Sequence, residues 1–301
     1  MGIRYGIVGA AGYVAKKHFD AIYTNGHEVT HACDIHDNVG FMDSYSKDIK
    51  FTKYFHEFIR EDFDVISICT PNFLHKSMCI SAMEHGKDVI LEKPACLSIH
   101  ELDEMIDVQD KTDRQVSVVM QLRYAEEIIN TQVSKGGLVT AIYHTPRGEW
   151  YNESWKSNDH LSGGVCLNIG IHLFDVLYQL LGTISYASTV TKSHSSFGML
   201  YFKDNMCVYH LSILHRNKGS VRNIILPEGD ILWLNEYFDG GKNSHVVVYD
   251  ERNEEYSVSL EEARESLRIA LMAKNAQGIN NHINEEDFDA HMLCRNQIYQ
   301  A

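Results

Sequence analysis

The chain is poor in basic residues. Its 27 lysines and arginines face 41 aspartates and glutamates, for a formal net charge of −14. Non-specific binding to nucleic acid or to an anionic membrane needs a basic surface, so this balance argues against both. An anionic ligand would then need a local cluster of cations. Proline is scarce, with four in 301 residues, and there is no repeat or low-complexity tract. No apolar run approaches the ~18 residues of a membrane span. The amino terminus enters a strand pattern by Ile3 and lacks a signal-peptide layout, so no targeting segment is expected. The seven cysteines fall singly, at 33, 69, 79, 96, 166, 207 and 294, with no C-x-x-C. Such a set fits reduced thiols in the cytoplasm rather than a disulfide framework. No His/Cys/Asp spacing resembles a metal site, so none is expected.

What is present is ordinary for a globular protein: 44% hydrophobic and 23% charged residues. A length of 301 favours two domains. Strand-like runs at 3–9, 29–34, 64–70, 88–92 and 115–121 alternate with helical spacing at 15–26, 72–86 and 98–111. Gly26 offers a stop for the first helix, and Ser98 with Glu101 is a capping-box pattern. Alternating β and α units argue for a parallel sheet covered on both faces, over residues 1–122. From residue 123 the texture changes. A strong helix is expected over 168–182, then strand-like runs that include FGMLYFKD, CVYHLSILH, ILWLNEYF and HVVVYD, then helix at 260–277 and about 285–299. Runs of strands read as a mostly antiparallel sheet, so residues 123–301 are expected to form an α+β domain.

Three stretches carry chemistry. Gly9, Gly12 and Ala15 form a G-x-x-G-x-x-A pattern between the first strand and first helix. Small residues there let the backbone and the helix N–H groups approach a pyrophosphate. Asp34, 22 residues after Gly12, ends the next strand, where an acid accepts hydrogen bonds from an adenosine ribose. Ile35, His36 and Asp37 follow, with no arginine to meet a 2′-phosphate, which favours NAD over NADP. Thr70 and Asn72 end a further strand; Asn72 either lines the ligand crevice or caps the following helix. Glu92 and Lys93 close a strand that Pro94 terminates, either as a solvent-facing ion pair or as functional groups.

Taken together, Gly9/Gly12, Asp34, Thr70-Pro71-Asn72 and Glu92-Lys93-Pro94 resemble the Gfo/Idh/MocA oxidoreductases, whose amino-terminal Rossmann domain carries an EKP at its nicotinamide end. Residues 162–182, SGGVCLNIGIHLFDVLYQLLG, are similar to the second-domain motif of that family. Residues 145–164, TPRGEWYNESWKSNDHLSGG, resemble one subgroup, the WlbA/WbpB-like dehydrogenases that oxidise C3 of UDP-N-acetylglucosaminuronic acid. MQLRY at 120–124 and GAAGYVA at 9–15 match that subgroup too. The resemblance covers residues 1 to about 215. Where many family members have an aspartate four residues before the catalytic histidine, this chain has Asn168, as the subgroup does. An amide cannot act as a base there, though it can hydrogen-bond a substrate.

The resemblance implies NAD as cofactor, held by Gly9, Ala11, Gly12, Tyr13, Val14, Asp34, Thr70, Pro71, Asn72, His75, Glu92, Lys93 and Gln121. It implies His172 as the base, since imidazole titrates near neutrality, and Lys93 as the group that steadies the developing alkoxide. A lone histidine on an apolar helix also fits a core side chain. The substrate set is Lys93, Arg123, Arg147, Tyr151, Trp155, Lys156, Asn168 and His172. Arginine and lysine would meet the sugar acid and pyrophosphate, and Trp150, Tyr151 and Trp155 would stack on uracil or sugar. An ordinary surface or interface role stays open for each of them. Asp175 either orients the imidazole of His172 or caps a solvent edge. The implied activity is NAD-dependent oxidation of a UDP-sugar to its 3-keto form in surface-polysaccharide biosynthesis. The alternatives are another sugar dehydrogenase, such as one acting on UDP-N-acetylglucosamine, and an inactive NAD-binding regulator. A homo-oligomer, a tetramer, is the family expectation.

Overall fold

Two six-stranded sheets organise the chain in the computed structural model, which describes residues 2–214, 219–235, 245–250 and 258–276. The first half runs β1 (Arg4–Val8), α1 (Ala15–Thr24), β2 (Glu28–Cys33), β3 (Lys50–Thr52), α2 (Phe55–Phe58), β4 (Val65–Ile68), α3 (His75–Glu84), β5 (Asp88–Leu91), α4 (Ile99–Thr112) and β6 (Val116–Val118). The strand order is β3-β2-β1-β4-β5-β6 and every pairing is parallel. Strand β4, Val-Ile-Ser-Ile, is buried at every position, as a sheet covered by helices on both faces requires. The order reverses between β1 and β4, which opens a crevice at their carboxyl ends. This is a Rossmann domain.

The second half contains α5 (Glu126–Asn130), β7 (Leu138–His144), α6 (Trp150–Glu153), α7 (Asp159–Ser162), α8 (Gly164–Asn168), α9 (Ile171–Leu181), β8 (Ile184–Lys192), β9 (Ser195–Phe202), β10 (Met206–Ser212), β11 (Val221–Ile225), β12 (Ile231–Trp233), α10 (His245–Val248) and α11 (Leu260–Asn275). Its sheet, β12-β11-β7-β10-β9-β8, is antiparallel except at β7–β10. Helix α11 opens on a full capping box, Ser259 with Glu262. It packs on α4, α8, α9 and β8, and Arg264 reaches Asp103 of α4 at 2.7 Å. The Val118 N–H donates to the Val258 carbonyl at 2.8 Å. One apolar cluster therefore runs from Ile66, Ile68 and Leu91 through Leu173 and Val176 to Leu200 and Leu267. No single helix among the described residues is long and apolar enough to cross a membrane.

Two expectations need correction, and one strand lies outside them. The helix expected over 168–182 is broken at Gly170, and the axis bends by 42° between α7–α8 and α9. Gly170 permits the break, because a Cβ there would meet the Cys166 carbonyl oxygen at 2.7 Å. HVVVYD is not a strand. Residues His245–Val248 form a helical turn on α1, where the Asn25 amide donates to the Val246 carbonyl at 2.8 Å. Three consecutive valines look strand-like, but tertiary packing overrides that preference. The short edge strand β3 went unread because Lys-Phe-Thr is too brief to show alternation. The helix expected at about 285–299 lies outside the described residues.

Candidate active site

The glycine loop sits at the β1–β4 switch. Gly9 has φ +80°, and a Cβ there would stand 2.7 Å from the Cys69 backbone. Only glycine fits that combination of handedness and proximity. The Gly12 N–H donates to the Gly9 carbonyl at 2.9 Å, and a Gly12 Cβ would lie 3.0 Å from the same oxygen. No side chain caps the start of α1; its Ala15 and Lys17 N–H groups donate to the Gly12 and Val14 carbonyls at 3.1 and 2.9 Å, and the positive end of the helix dipole favours an anion there. Asp34 follows β2 and accepts from the Ala11 N–H and the His36 N–H, each at 2.9 Å. Its carboxylate thus braces the loop and stands beside it. These features fit a dinucleotide: a cradle that a side chain would fill, a helix start, and an acid at the second strand.

From the loop a cleft of about 650 Å³ runs to the second sheet. It is lined by Gly9, Ala11, Gly12, Tyr13, Val14, Asp34, Thr70, Pro71, Asn72, His75, Glu92, Lys93, Gln121, Arg147, Trp155, Lys156, Asn168 and His172. Asn72 does not cap its helix. Its amide donates to the Ser162 carbonyl at 2.8 Å and so ties β4 to the Gly-Gly turn. His75 ring nitrogens lie 2.8 Å from the Pro94 carbonyl and 2.9 Å from that of Thr70. That imidazole pins two cleft loops together.

The Lys93–Pro94 peptide is cis. Lys93 Nζ donates to the Asn168 carbonyl at 2.9 Å. Burial pulls its pKa down to about 8; Glu92 opposes the shift, and Lys156 and Arg147 add to it. Burial holds His172 well below the usual histidine range, and Lys93 pushes the same way. His172 is therefore a neutral imidazole at pH 7, able to take a proton. The Asn168 amide donates to the Tyr151 hydroxyl at 3.1 Å.

A cluster of cations occupies the second-sheet side. Arg147 and Lys156 are both held below their ordinary values, by burial first and then by neighbouring cations. Lys156 Nζ lies 5.4 Å from the Trp150 ring and 5.7 Å from that of Trp155, within cation–π range. Arg222, on β11, joins them: it lines the cleft, donates to Thr145 Oγ1 at 3.0 Å and sits 5.6 Å from the Tyr143 ring. Such mutual repulsion in a chain of charge −14 marks a place for an anion.

Two residues of the expected substrate set lie elsewhere. Arg123 does not line the cleft. Its Nε donates to Asp175 at 2.9 Å, and Ser266 of α11 donates to the same carboxylate at 2.5 Å. Asp175 therefore neither orients His172 nor caps a solvent edge; it is buried and ties α9 to α11. Tyr151 is buried behind the lining and bonded to Asn168.

Residues 3–120 match the model of the oxidoreductase family, NAD-binding Rossmann fold, and residues 137–230 match that of its carboxy-terminal alpha/beta domain. The chain belongs to the Gfo/Idh/MocA oxidoreductase family. Its cofactor is NAD. Among solved structures, the Thermus thermophilus WlbA (WbpB) dehydrogenase in complex with NAD and UDP-GlcNAcA superposes with a TM-score of 0.85 at 27% identity. The match covers 93% of this chain and 97% of that one. The same enzyme with NAD and alpha-ketoglutarate matches at TM-score 0.85 and 28% identity, over 95% and 98% of the two chains. A 2,7-anhydro-N-acetylneuraminate hydratase of Mediterraneibacter gnavus is 27% identical over 235 residues, 65% of this chain and 59% of its own length. The chain thus spans about three-fifths of the length of such curated relatives.

Two features of the site of this oxidoreductase lie outside the sequence expectations. Arg222 is one, although an arginine inside the run SVRNIIL is a signal that something polar faces inward. His18 and His245 meet Glu92 with all ligand-type atoms within 4.8 Å of one another. No linear spacing could show that, since 74 and 153 residues separate Glu92 from its two partners.

Proposed function

We propose that this oxidoreductase oxidises the C3 hydroxyl of a UDP-sugar, with UDP-N-acetylglucosaminuronic acid the preferred substrate. The observation that carries the reading is one cleft holding both a neutral imidazole with a buried ammonium, His172 and Lys93, and a cationic group, Arg147, Lys156 and Arg222. The first pair suits alcohol oxidation. The second suits a substrate that carries a pyrophosphate and a carboxylate.

Gly9, Ala11, Gly12, Tyr13 and Val14 would hold the pyrophosphate of NAD, and Asp34 would take the ribose hydroxyls. Thr70, Pro71, Asn72, His75, Glu92, Lys93 and Gln121 would line its nicotinamide half. When bound, NAD supplies the hydride acceptor. His172 takes the hydroxyl proton at its imidazole nitrogen. Lys93 donates to the alkoxide oxygen and offsets its charge in a site of low polarity. Arg147 and Lys156 fix the anionic groups of the substrate, Trp155 offers a stacking face, and Asn168 with Tyr151 supports the wall behind the sugar. Arg123 acts through Asp175 on the fold rather than on substrate. The WlbA complex with UDP-GlcNAcA supports the substrate class.

The test incubates each UDP-sugar with the protein and NAD, adds a 2-oxo acid to recycle NADH, and locates any new ketone by NMR. A 3-keto product from the acid sugar is expected. A ketone at C4, or no NADH from any UDP-sugar, would defeat the reading.

A further inference from the structure

Two buried histidines from opposite parts of the chain meet on one carboxylate oxygen. His18 Nε2 lies 3.0 Å, and His245 Nε2 3.1 Å, from Oε1 of Glu92. All three side chains are buried. The chain of contacts goes on: His18 Nδ1 is 2.6 Å from the Tyr249 hydroxyl, which is 2.7 Å from Ser67 Oγ. His18 belongs to α1, the helix that opens at the glycine loop. His245 and Tyr249 belong to the α10 segment, which Tyr249 anchors by packing edge-on against Tyr5, ring centroids 5.3 Å apart. None of the three lines the cleft, whereas Glu92 does.

Donor bookkeeping orders this chain. A carboxylate only accepts, so the His18 Nε2–H donates to Glu92 Oε1, while His245 Nε2 lies 3.1 Å from both that oxygen and the Gln121 amide nitrogen. His18 Nδ1 in turn meets the Tyr249 hydroxyl and that hydroxyl meets Ser67 Oγ, so the contacts run unbroken from β4 to Glu92, and bonds in such a chain polarise one another. Burial pushes the Glu92 carboxyl up, but the bonds from His18 and His245 outweigh it and hold it well below the usual range. His245 itself is held down by burial. Beyond these partners, the charged or titratable groups that feel Glu92 include Lys93, Lys156, His172, His75 and Cys69.

We propose that His18, His245 and Tyr249 are positioning residues that keep Glu92 a carboxylate at the nicotinamide end, so that the protein's own charge favours cationic NAD+ over neutral NADH. The proposal rests on the placement of the nicotinamide given under the proposed function.

Titration calorimetry on the full chain tests it, with NAD+, NADH and ADP-ribose as ligands and Glu92→Gln, His18→Gln and Tyr249→Phe as variants. ADP-ribose carries everything except the nicotinamide and so reports on the fold of the other half of the site. Its affinity should not change. Glu92→Gln should weaken NAD+ relative to NADH on the order of tenfold or more, the scale of one charge at short range near an effective dielectric of ~20. His18→Gln and Tyr249→Phe should move the same ratio the same way by a smaller factor. Should His18→Gln lose ADP-ribose binding, Tyr249→Phe, which removes a single oxygen, decides. A ratio unmoved in Glu92→Gln, or moved there but not in Tyr249→Phe, overturns the inference. So does one equivalent of zinc in the purified protein, because a cation between His18, Glu92 and His245 would cancel the charge. Failure of the native chain to bind ADP-ribose would instead strike the cofactor placement itself.

Discussion

Lys93 donates its ammonium hydrogen to the backbone carbonyl of Asn168 at 2.9 Å. That bond joins the loop after β5 to the last residue of α8, and so joins the two halves of the cleft at the place where chemistry is proposed. The side chain of Asn168 faces the other way and donates to Tyr151. An aspartate at this position could not make that donation. It would also add a negative charge near Lys93 and hold the ammonium protonated.

The ionisation of Lys93 sets the first prediction. Its pKa is lowered to about 8, and the proposed role needs the cation. The active form is then fully present below about pH 8 and is lost above it. His172, lowered well below its usual range, is neutral throughout and adds no limb near neutrality. The expected kcat/KM is flat around pH 7 and falls about tenfold per unit on the alkaline side. In Lys93→Arg the fall should vanish, since a guanidinium stays protonated. A rate that climbs through pH 8 would exchange the roles of Lys93 and His172.

His172→Asn should lower turnover by about a hundredfold or more, the usual contribution of an acid–base group. Affinity for NAD should barely change, because the residue lies on α9 rather than in the Rossmann half. Near-normal turnover with cofactor bound would send the search for a base elsewhere. Stopped-flow appearance of NADH reads the first quantity and calorimetry the second.

Cofactor choice should hang on Asp34. A 2′-phosphate brought within ~4 Å of its carboxylate would be repelled by about 4 kcal/mol at an effective dielectric near 20. The native protein should therefore prefer NAD clearly over NADP, and Asp34→Ala should lose much of that preference. The variant should also bind NAD more weakly, because the Ala11 and His36 N–H groups lose their acceptor. Equal affinities for NAD and NADP in the native protein would sink the assignment.

Arg123 should matter for stability rather than for substrate. Its pair with Asp175 is buried, with side-chain exposures of 10% and 1%. Removing one partner of such a pair strands the other and typically costs ~3–5 kcal/mol. Arg123→Met should show that loss in urea unfolding, while KM for the sugar nucleotide stays within about twofold in the folded fraction. Paired replacement with Asp175→Leu should recover part of the stability. A large rise in KM with unchanged stability would return Arg123 to the substrate.

These contrasts show what the sequence could and could not reveal. The Rossmann half was legible because its signals are local: Gly9 beside a strand end, Asp34 at the next, Ser98 with Glu101 at a helix start. The groups that converge on the cleft from both halves, Lys93 with His172 and Arg147 with Lys156, were legible through motif resemblance. The pairing of Arg123 is not legible, because a cation in a matching motif says nothing about which group it meets; Asp175 and Ser266 lie 52 and 143 positions away. The α10 turn was read as a strand because its valines are strand formers, and only contact with α1 decides otherwise. The Glu92 network was invisible because its members are brought together by folding alone.

The last prediction concerns substrate charge. If Arg147 or Lys156 meets the C6 carboxylate, UDP-N-acetylglucosaminuronic acid should be oxidised well and UDP-N-acetylglucosamine poorly, since the neutral sugar leaves that cation unmatched. A charge-assisted hydrogen bond contributes ~1.5–3 kcal/mol, so a preference of about ten- to a hundredfold is expected. Arg222 adds a third candidate for the same contact, as it lines the cleft beside Tyr143 and Thr145. Three single variants, Arg147→Gln, Lys156→Gln and Arg222→Gln, separate the possibilities. The one whose loss reduces kcat/KM for the acid sugar while leaving the neutral sugar nearly untouched is the residue that reads the carboxylate. A variant that weakens both sugars equally marks a cation on the pyrophosphate instead. Equal rates of the native protein on the two sugars would remove the carboxylate from the argument and leave the broader sugar-dehydrogenase reading in place.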